Sequence, residues 1–291
     1  MKISVAKAAR SRRLMWAALG LLIPADVALS AAPTIDAGEA KLDFCAFSRT
    51  FTEDFDRLSV ASRNITGARW IAHTPWNGDF GDAVFTDPGQ GFPFDVEDGI
   101  LTITARKGPD GKWRSGLLAS ADSQTRGFSQ KYGYFEARAQ MPHGSGIWPA
   151  FWLSTSEPKG RTEPTVEVDV IEYYGHDPAA YQSTLHVWHK NPSRSINKSN
   201  KTVVPRGSLA DSFHTYGVKV APKTVTFYLD RKPIWQQPTP PEHKEPLLLL
   251  VNLALGSGYP IDKTPNPSVM KVDYIHAYAL EGGDGKNCPG K

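Results

Sequence analysis

The chain has 291 residues, 40% of them hydrophobic and 22% charged, a balance that excludes disordered, collagen-like and coiled-coil classes. Its formal charge of +3 sits in the first 30 residues, where Lys2, Lys7, Arg10, Arg12 and Arg13 face Asp26 alone; the remainder holds 28 basic and 29 acidic residues, a net of −1. Nucleic-acid binding is therefore not expected, and 23 Pro with 25 Gly argue for many turns rather than a helical bundle.

Residues 1–30 read as a secretory signal peptide. A basic start precedes an apolar stretch over 14–23, and Ala28 and Ser30 fit positions −3 and −1 of a cut after Ser30. A membrane anchor is the alternative, but about ten apolar residues ahead of Pro24 and Asp26 are short for a span. The expected product is exported, with no membrane attachment after cleavage. Residues 31–45 are expected as a flexible lead-in. Cys45 and Cys288 lie at the two ends of the mature chain. In an oxidising compartment they suit a bridge worth roughly 5 kcal/mol in the chain-entropy account; two unpaired thiols are the alternative.

From residue 46 onward short apolar runs alternate with turn clusters. Strands are expected at 99–105 after an Asp-Gly turn, and at 132–139, 184–188, 215–220 and 224–229. A turn at 230–232 leads into 233–235. Residues 247–253 form a continuous apolar run, as a strand buried on both faces would. A last strand covers 272–280. Helical periodicity is scarce, so residues 46–291 read as one all-β sandwich domain.

The segment Thr165-Val166-Glu167-Val168-Asp169-Val170-Ile171-Glu172 places three carboxylates in six residues among β-branched neighbours. In a plain strand Glu167 and Asp169 share a face and Glu172 points the other way. A one-residue β-bulge between Asp169 and Glu172 puts all three on one face, with Val166, Val168 and one of Val170 or Ile171 toward the core. Four effective steps then separate the Glu backbones by roughly 13 Å. Side chains leaning inward bring the carboxyl groups to roughly 5–6 Å, close to the separation a retaining glycosidase uses. Three like charges on one face raise at least one pKa, which suits an acid that keeps its proton near neutrality. A calcium site and a solvated acidic face are the competing readings.

Tyr132-Gly133-Tyr134-Phe135-Glu136-Ala137-Arg138, Gly146-Ile147-Trp148-Pro149-Ala150-Phe151-Trp152-Leu153 and Glu167-Val168-Asp169-Val170-Ile171-Glu172 together resemble glycoside hydrolase family 16. Asp98-Gly99-Ile100-Leu101, Ser183-Thr184-Leu185-His186, Phe213-His214-Thr215-Tyr216, Asn252-Leu253-Ala254 and Val272-Asp273-Tyr274-Ile275 extend the match over about residues 50–280. The resemblance implies a secreted β-jelly-roll sandwich of two antiparallel sheets with a concave cleft. It implies a retaining endo-β-glycosidase acting on a β-glucan or bacterial exopolysaccharide, with Glu167 as nucleophile, Glu172 as general acid/base and Asp169 tuning the nucleophile. A transglycosylase on the same intermediate and a non-catalytic, lectin-like glycan binder are the rivals.

Trp148 and Trp152 differ by an even strand offset and share a face, with Phe151 pointing into the core; core packing is the alternative for either Trp. With His186, Trp188 of the same parity, and Asn252, they are the expected sugar-binding residues. The resemblance implies a structural Ca²⁺ held by Asp273 and backbone near Gly99. No cofactor is expected for catalysis, and no zinc-spaced Cys/His cluster or phosphate loop is present. A polysaccharide is the expected partner and a monomer the expected state. The chain departs from the family pattern at Ser257 and Tyr259, where a second Gly and a Trp are common, so the sugar recognised is left open.

Overall fold

The computed structural model describes residues 34–76, 78–156 and 164–282. The expected signal peptide, Cys288 and most of the polar loop ahead of the acids lie outside the described residues. In chain order the strands are β1 (Ser48–Glu53), β2 (Val60–Ala61), β3 (Trp70–Ile71), β4 (Val84–Phe85), β5 (Phe94–Glu97), β6 (Ile100–Lys107), β7 (Trp113–Ser115), β8 (Leu117–Ala119) and β9 (Gly133–Gln140). They continue as β10 (Ile147–Thr155), β11 (Thr165–Glu172), β12 (Ala180–Trp188), β13 (Ile196–Val203), β14 (His214–Val220), β15 (Thr224–Leu229), β16 (Lys232–Pro238), β17 (Leu247–Leu255) and β18 (Ser268–Ala279).

These strands form two sheets. The inner one runs β13-β12-β11-β10-β17-β8-β3-β2. The outer one runs β16-β15-β14-β9-β18-β6-β7-β4, with β1 on β18 and β5 on β6. The all-β sandwich expected from the sequence is present. The sheets are not wholly antiparallel, however: β2·β3 and β4·β7 pair in parallel. These are two-residue contacts at the sheet margins, where a passing segment can add on without a hairpin.

The continuous apolar run is β17, buried along its whole length. Leu247, Leu249, Val251, Leu253 and Leu255 join the main core between the sheets. Leu248, Leu250 and Ala254 face the other way and floor the concave side beside Trp152. The one polar residue in this strand, Asn252, shares that second face. Turn chemistry holds where expected: Asp98 and Gly99 both have positive φ between β5 and β6, the two-residue turn that matches strand twist. Asp230 and Arg231 do the same between β15 and β16.

Residues 36–47 are not a loose lead-in. Phe44 and Phe47 pack with Tyr134, Tyr228 and Tyr278 on the outer sheet. Tyr228 donates to the Ala40 carbonyl at 2.6 Å, and Lys219 Nζ donates to the carbonyls of Glu39 and Lys41. Two aromatic anchors in a short turn-containing segment are too few to set a strand or helix period, so local pattern did not reveal the docking.

Candidate active site

The bulge that side-chain parity demands is present in β11. Against β10, Phe151 pairs with Ile171 and Trp152 with Asp169, which leaves Val170 as the extra residue. Against β12 the register shifts between Asp169 and Glu172. Both Val170 and Ile171 reach the core, rather than one of them, because the bulge turns the two consecutive side chains inward. Glu167 and Glu172 lie opposite Ser154 and Ala150, four residues apart on β10, so their backbones are roughly 13 Å apart.

Three cross-strand rows build the concave floor. Ser154, Glu167, His186 and Asn197 form one; Trp152, Asp169, Thr184 and Ser199 the next; Ala150, Glu172, Gln182 and Lys201 the third. Each row crosses β10, β11, β12 and β13, so alternate positions of four strands meet at the acids.

Glu172 is held by two donors on one oxygen. Trp148 Nε1 donates to Oε1 at 3.0 Å and Tyr174 OH donates to it at 2.9 Å. The Trp148 and Tyr174 rings stack, with centroids 6.1 Å apart and planes at 15°. Trp152 donates its indole N–H to Asn252 Oδ1 at 2.8 Å. His186 Nε2 lies 3.1 Å from Asp169 Oδ2 and 3.9 Å from Glu167 Oε1, while its Nδ1 sits 2.7 Å from Asn197 Oδ1. Trp188 stacks on the His186 ring at 4.6 Å and 15° and is 41% exposed, so its outer face is open to a ligand. All five expected sugar-binding residues and all three acids therefore converge on one face.

Burial pushes the Glu167 carboxyl up to about 8, and the neighbouring Asp169 charge adds to it; His186 and a hydrogen bond from Trp188 oppose the shift. Burial pushes Asp169 well above the usual carboxylate range, with Glu172 adding. Both shifts have the cause expected for carboxylates sunk into a protein floor. Glu167, Asp169 and His186 each bring a ligand atom within 4.8 Å of the others, the one such trio of three or more among the described residues.

Asp273 and Gly99 are not part of such a cluster. Asp273 sits where the β18 register shifts against β9, and its carboxylate pairs with Arg138 Nη1. A hard cation asks for six to eight oxygens. The Asp273 carboxylate is engaged by a guanidinium, so a Ca²⁺ held there would have to displace Arg138 from it.

Sequence reasoning missed the residues that line the cleft from loops. A hollow of about 230 Å³ is lined by Trp76, Phe80, Trp148, Ala150, Trp152 and Asn252 together with the three acids. A second, of about 410 Å³, opens beyond Glu172 and is lined by Tyr174, His176, Gln182, Lys201, Ser257 and Tyr259 among others. A third, of about 270 Å³, lies between Trp76, Ser154, Thr165, Glu167 and Trp188. The cleft thus extends past both catalytic-type carboxylates, which suits a polymer passing through rather than a chain end held in a blind pocket. A Trp or Phe in an irregular loop has no period to betray it; only the density of aromatics over residues 76–85 is a signal.

The profile of the family described as Glycosyl hydrolases family 16 matches residues 88–276. A relative named Endo-1,3-1,4-beta-glycanase ExsH, from Rhizobium meliloti, is 35% identical over 263 residues, covering 82% of this chain and 53% of the relative. Endo-1,3-1,4-beta-glycanase EglC of the same organism is 33% identical over the same length and coverage. The chain spans about half the length of these curated relatives. Among solved structures, the catalytic domain of an endo-1,3-beta-glucanase (laminarinase) from Thermotoga petrophila superposes with a TM-score of 0.63 at 25% identity, covering 80% of this chain and 98% of that one.

Proposed function

The chain belongs to glycoside hydrolase family 16, and from that premise we propose that it is a retaining endo-hydrolase of a β-1,3- or mixed-linkage β-glucan, or of a bacterial exopolysaccharide built on such linkages. The observation that carries this reading is the two-point hold on Glu172 Oε1 by Trp148 and Tyr174, on the same face as Glu167. That hold fixes a carboxyl group that lines the cleft, as a proton donor to a leaving oxygen must be fixed.

In the first step Glu167 attacks the anomeric carbon while the Glu172 proton passes to the departing oxygen. A covalent glycosyl-enzyme forms and the aglycone leaves. In the second step Glu172, now ionised, takes a proton from water; the water oxygen bonds to the anomeric carbon and Glu167 is released. Asp169, which burial holds protonated, places no second charge beside Glu167 when the nucleophile ionises. Trp152 and Trp188 offer ring faces to the apolar side of sugars.

The test is reducing-end release across laminarin, mixed-linkage β-glucan, agarose, carrageenan and a succinoglycan-type polymer, with Glu167→Gln as blank. The expected result is activity on a β-glucan or the succinoglycan-type polymer, with the β-anomer appearing first by NMR. First appearance of the α-anomer would overturn the retaining mechanism, and activity on the galactans alone would overturn the substrate class.

Two further expectations stay with this proposal. Export rests on the N-terminal sequence, and the mature chain is expected to begin at Ala31 by mass spectrometry of culture medium. A Cys45–Cys288 bridge is expected to appear as a mass shift on reduction and alkylation.

A further inference from the structure

We propose that His73 is a positioning residue for the hydrolysis proposed above: its ring, held between Asp79 and Asp87, sets the aromatic wall formed by Trp76 and Phe80 in the hollow that contains the three carboxylates.

His73 follows β3 and is 7% exposed. Its Nδ1 lies 2.8 Å from Asp79 Oδ2 and its Nε2 lies 3.2 Å from Asp87 Oδ1. The chain between His73 and Asp79 carries Trp76. The chain between Asp79 and Asp87 carries Phe80 and β4. One buried ring therefore ties two points of the segment back to its stem. A neutral imidazole has a single N–H, so both contacts are hydrogen bonds only when the ring carries both protons. Arg63 reaches Asp79 from the far side at 4.0 Å. Thr74 Oγ1 donates to the carbonyls of Trp76 and Gly78, each at 3.1 Å, which shapes the turn but does not fix where it sits. Thr74 N–H and Oγ1 also reach Asp79 Oδ1, each at 3.4 Å, and the Asp82 N–H donates to the Leu255 carbonyl at 2.9 Å; of the side-chain contacts on Asp79 the imidazole's, at 2.8 Å, is the shortest.

The wall reaches the reaction centre through rings. Trp76 meets Trp152 edge-on at 6.0 Å, and Phe80 meets Trp148 at 5.3 Å and Trp152 at 5.8 Å. Trp148 is the residue that holds Glu172, and Trp152 pairs across the strand with Asp169. A shift of the segment moves the surface a sugar ring would lie on, while Glu172 keeps its second donor, Tyr174. Such a contact acts on ground state and transition state alike, so its loss appears in KM rather than kcat.

The experiment compares wild type, His73→Ala, Trp76→Ala and the double variant on the polymer that wild type cleaves. The expected result for His73→Ala is a KM higher by about tenfold, the worth of one aromatic contact, with kcat within about twofold. Trp76→Ala shows the same, and the double variant is no worse than Trp76→Ala. Unchanged KM, or losses that add in the double variant, would overturn the proposal. His73→Gln, which keeps one donor, is expected to fall between wild type and alanine, and Asp79→Asn to shift KM in the same direction; both guard against a variant that fails to fold. Acrylamide quenching of tryptophan fluorescence reads the clamp without substrate. Quenching is expected to rise in His73→Ala and not in the same change made on Trp76→Phe. Silence of wild type on every polymer would therefore count against the hydrolase reading, while the quenching result still decides the clamp.

Discussion

His186 faces Asp169 with Nε2 3.1 Å from Oδ2, yet this carboxylate oxygen accepts no hydrogen bond. The other ring nitrogen explains it. Nδ1 lies 2.7 Å from the side-chain carbonyl of Asn197, an acceptor, so the ring proton belongs on Nδ1 and Nε2 presents a lone pair. Two lone pairs at this separation repel unless a proton lies between them. Burial raises the Asp169 carboxyl, so the proton between the two atoms is Asp169's own.

That assignment separates the roles of the two glutamates. Glu167→Gln is expected to lower kcat by about 10³ or more on every substrate, since no other group can form the covalent intermediate. Glu172→Gln is expected to do the same on polymer but to retain far more of the rate on an aryl glycoside whose leaving group needs no proton. Stopped assays of both variants on both substrates check this; equal losses on the aryl glycoside would overturn the division of labour.

The same burial gives stability a pH dependence of known sign. The Glu167 carboxyl goes from an ordinary 4.5 up to about 8 in the folded chain. The folded state therefore binds this proton more tightly than the unfolded state does. Stability from this group is full below the unfolded value and is lost as pH rises through the window from 4.5 to about 8. Calorimetry is expected to show Tm falling across that window in wild type. Glu167→Gln is expected to flatten the slope and to be the more stable protein at pH 8, a site whose charge serves chemistry at the expense of the fold. Parallel curves for the two proteins would count against it.

Asn252 is a second test of the floor. It is fully buried and accepts the Trp152 indole N–H. Asn252→Leu leaves that donor without its acceptor in an apolar layer made by Leu250 and Ala254, at a cost of about 1–3 kcal/mol. Urea unfolding is expected to show this as a lower midpoint at unchanged slope, with KM raised because Trp152 loses its orientation. A midpoint equal to that of wild type would mean the indole finds another partner.

Much of this site was legible from residue order because strand parity is a strict rule. Glu167, Asp169 and Glu172 cannot share a face without one extra residue, and β11 contains it at Val170. Trp148, Trp152, His186 and Trp188 follow by even offsets. Trp76, Phe80 and Tyr174 were not legible, since their backbones obey no period and their approach depends on how loops close. Tyr259 was visible as a departure from the family pattern, but not as part of the wall beyond Glu172. The docked segment around Phe44 escaped for the same reason as the loop aromatics. The Arg138 partner of Asp273 was not legible either, since it is set by the register between β9 and β18.

The outer sheet holds a buried charge whose removal tests stability apart from activity. Glu136 is fully buried and takes two bonds from Arg231, at 2.8 and 3.1 Å, one from Tyr134 OH at 2.9 Å and a longer one from Tyr274 OH at 3.4 Å. The Arg231 side chain is 45% exposed, stacks on Phe44 and has a positive φ of 61°, so the hairpin turn is held in its left-handed form partly by this pair. The two deletions are therefore unequal. Glu136→Gln leaves a guanidinium that can turn to water. Arg231→Met leaves a carboxylate sealed beneath the sheet surface with only the two tyrosine hydroxyls as donors, where losing the ionic partner costs up to about 3–5 kcal/mol, and also loosens the contact that seats residues 36–47. Arg231→Met is expected to unfold at clearly lower denaturant than Glu136→Gln, with kcat and KM of both unchanged because β9 and the turn after β15 lie on the sheet opposite the cleft. Equal destabilisation would place the cost in lost packing rather than in the stranded charge, and a change in kcat would show that the outer sheet is coupled to the carboxylates.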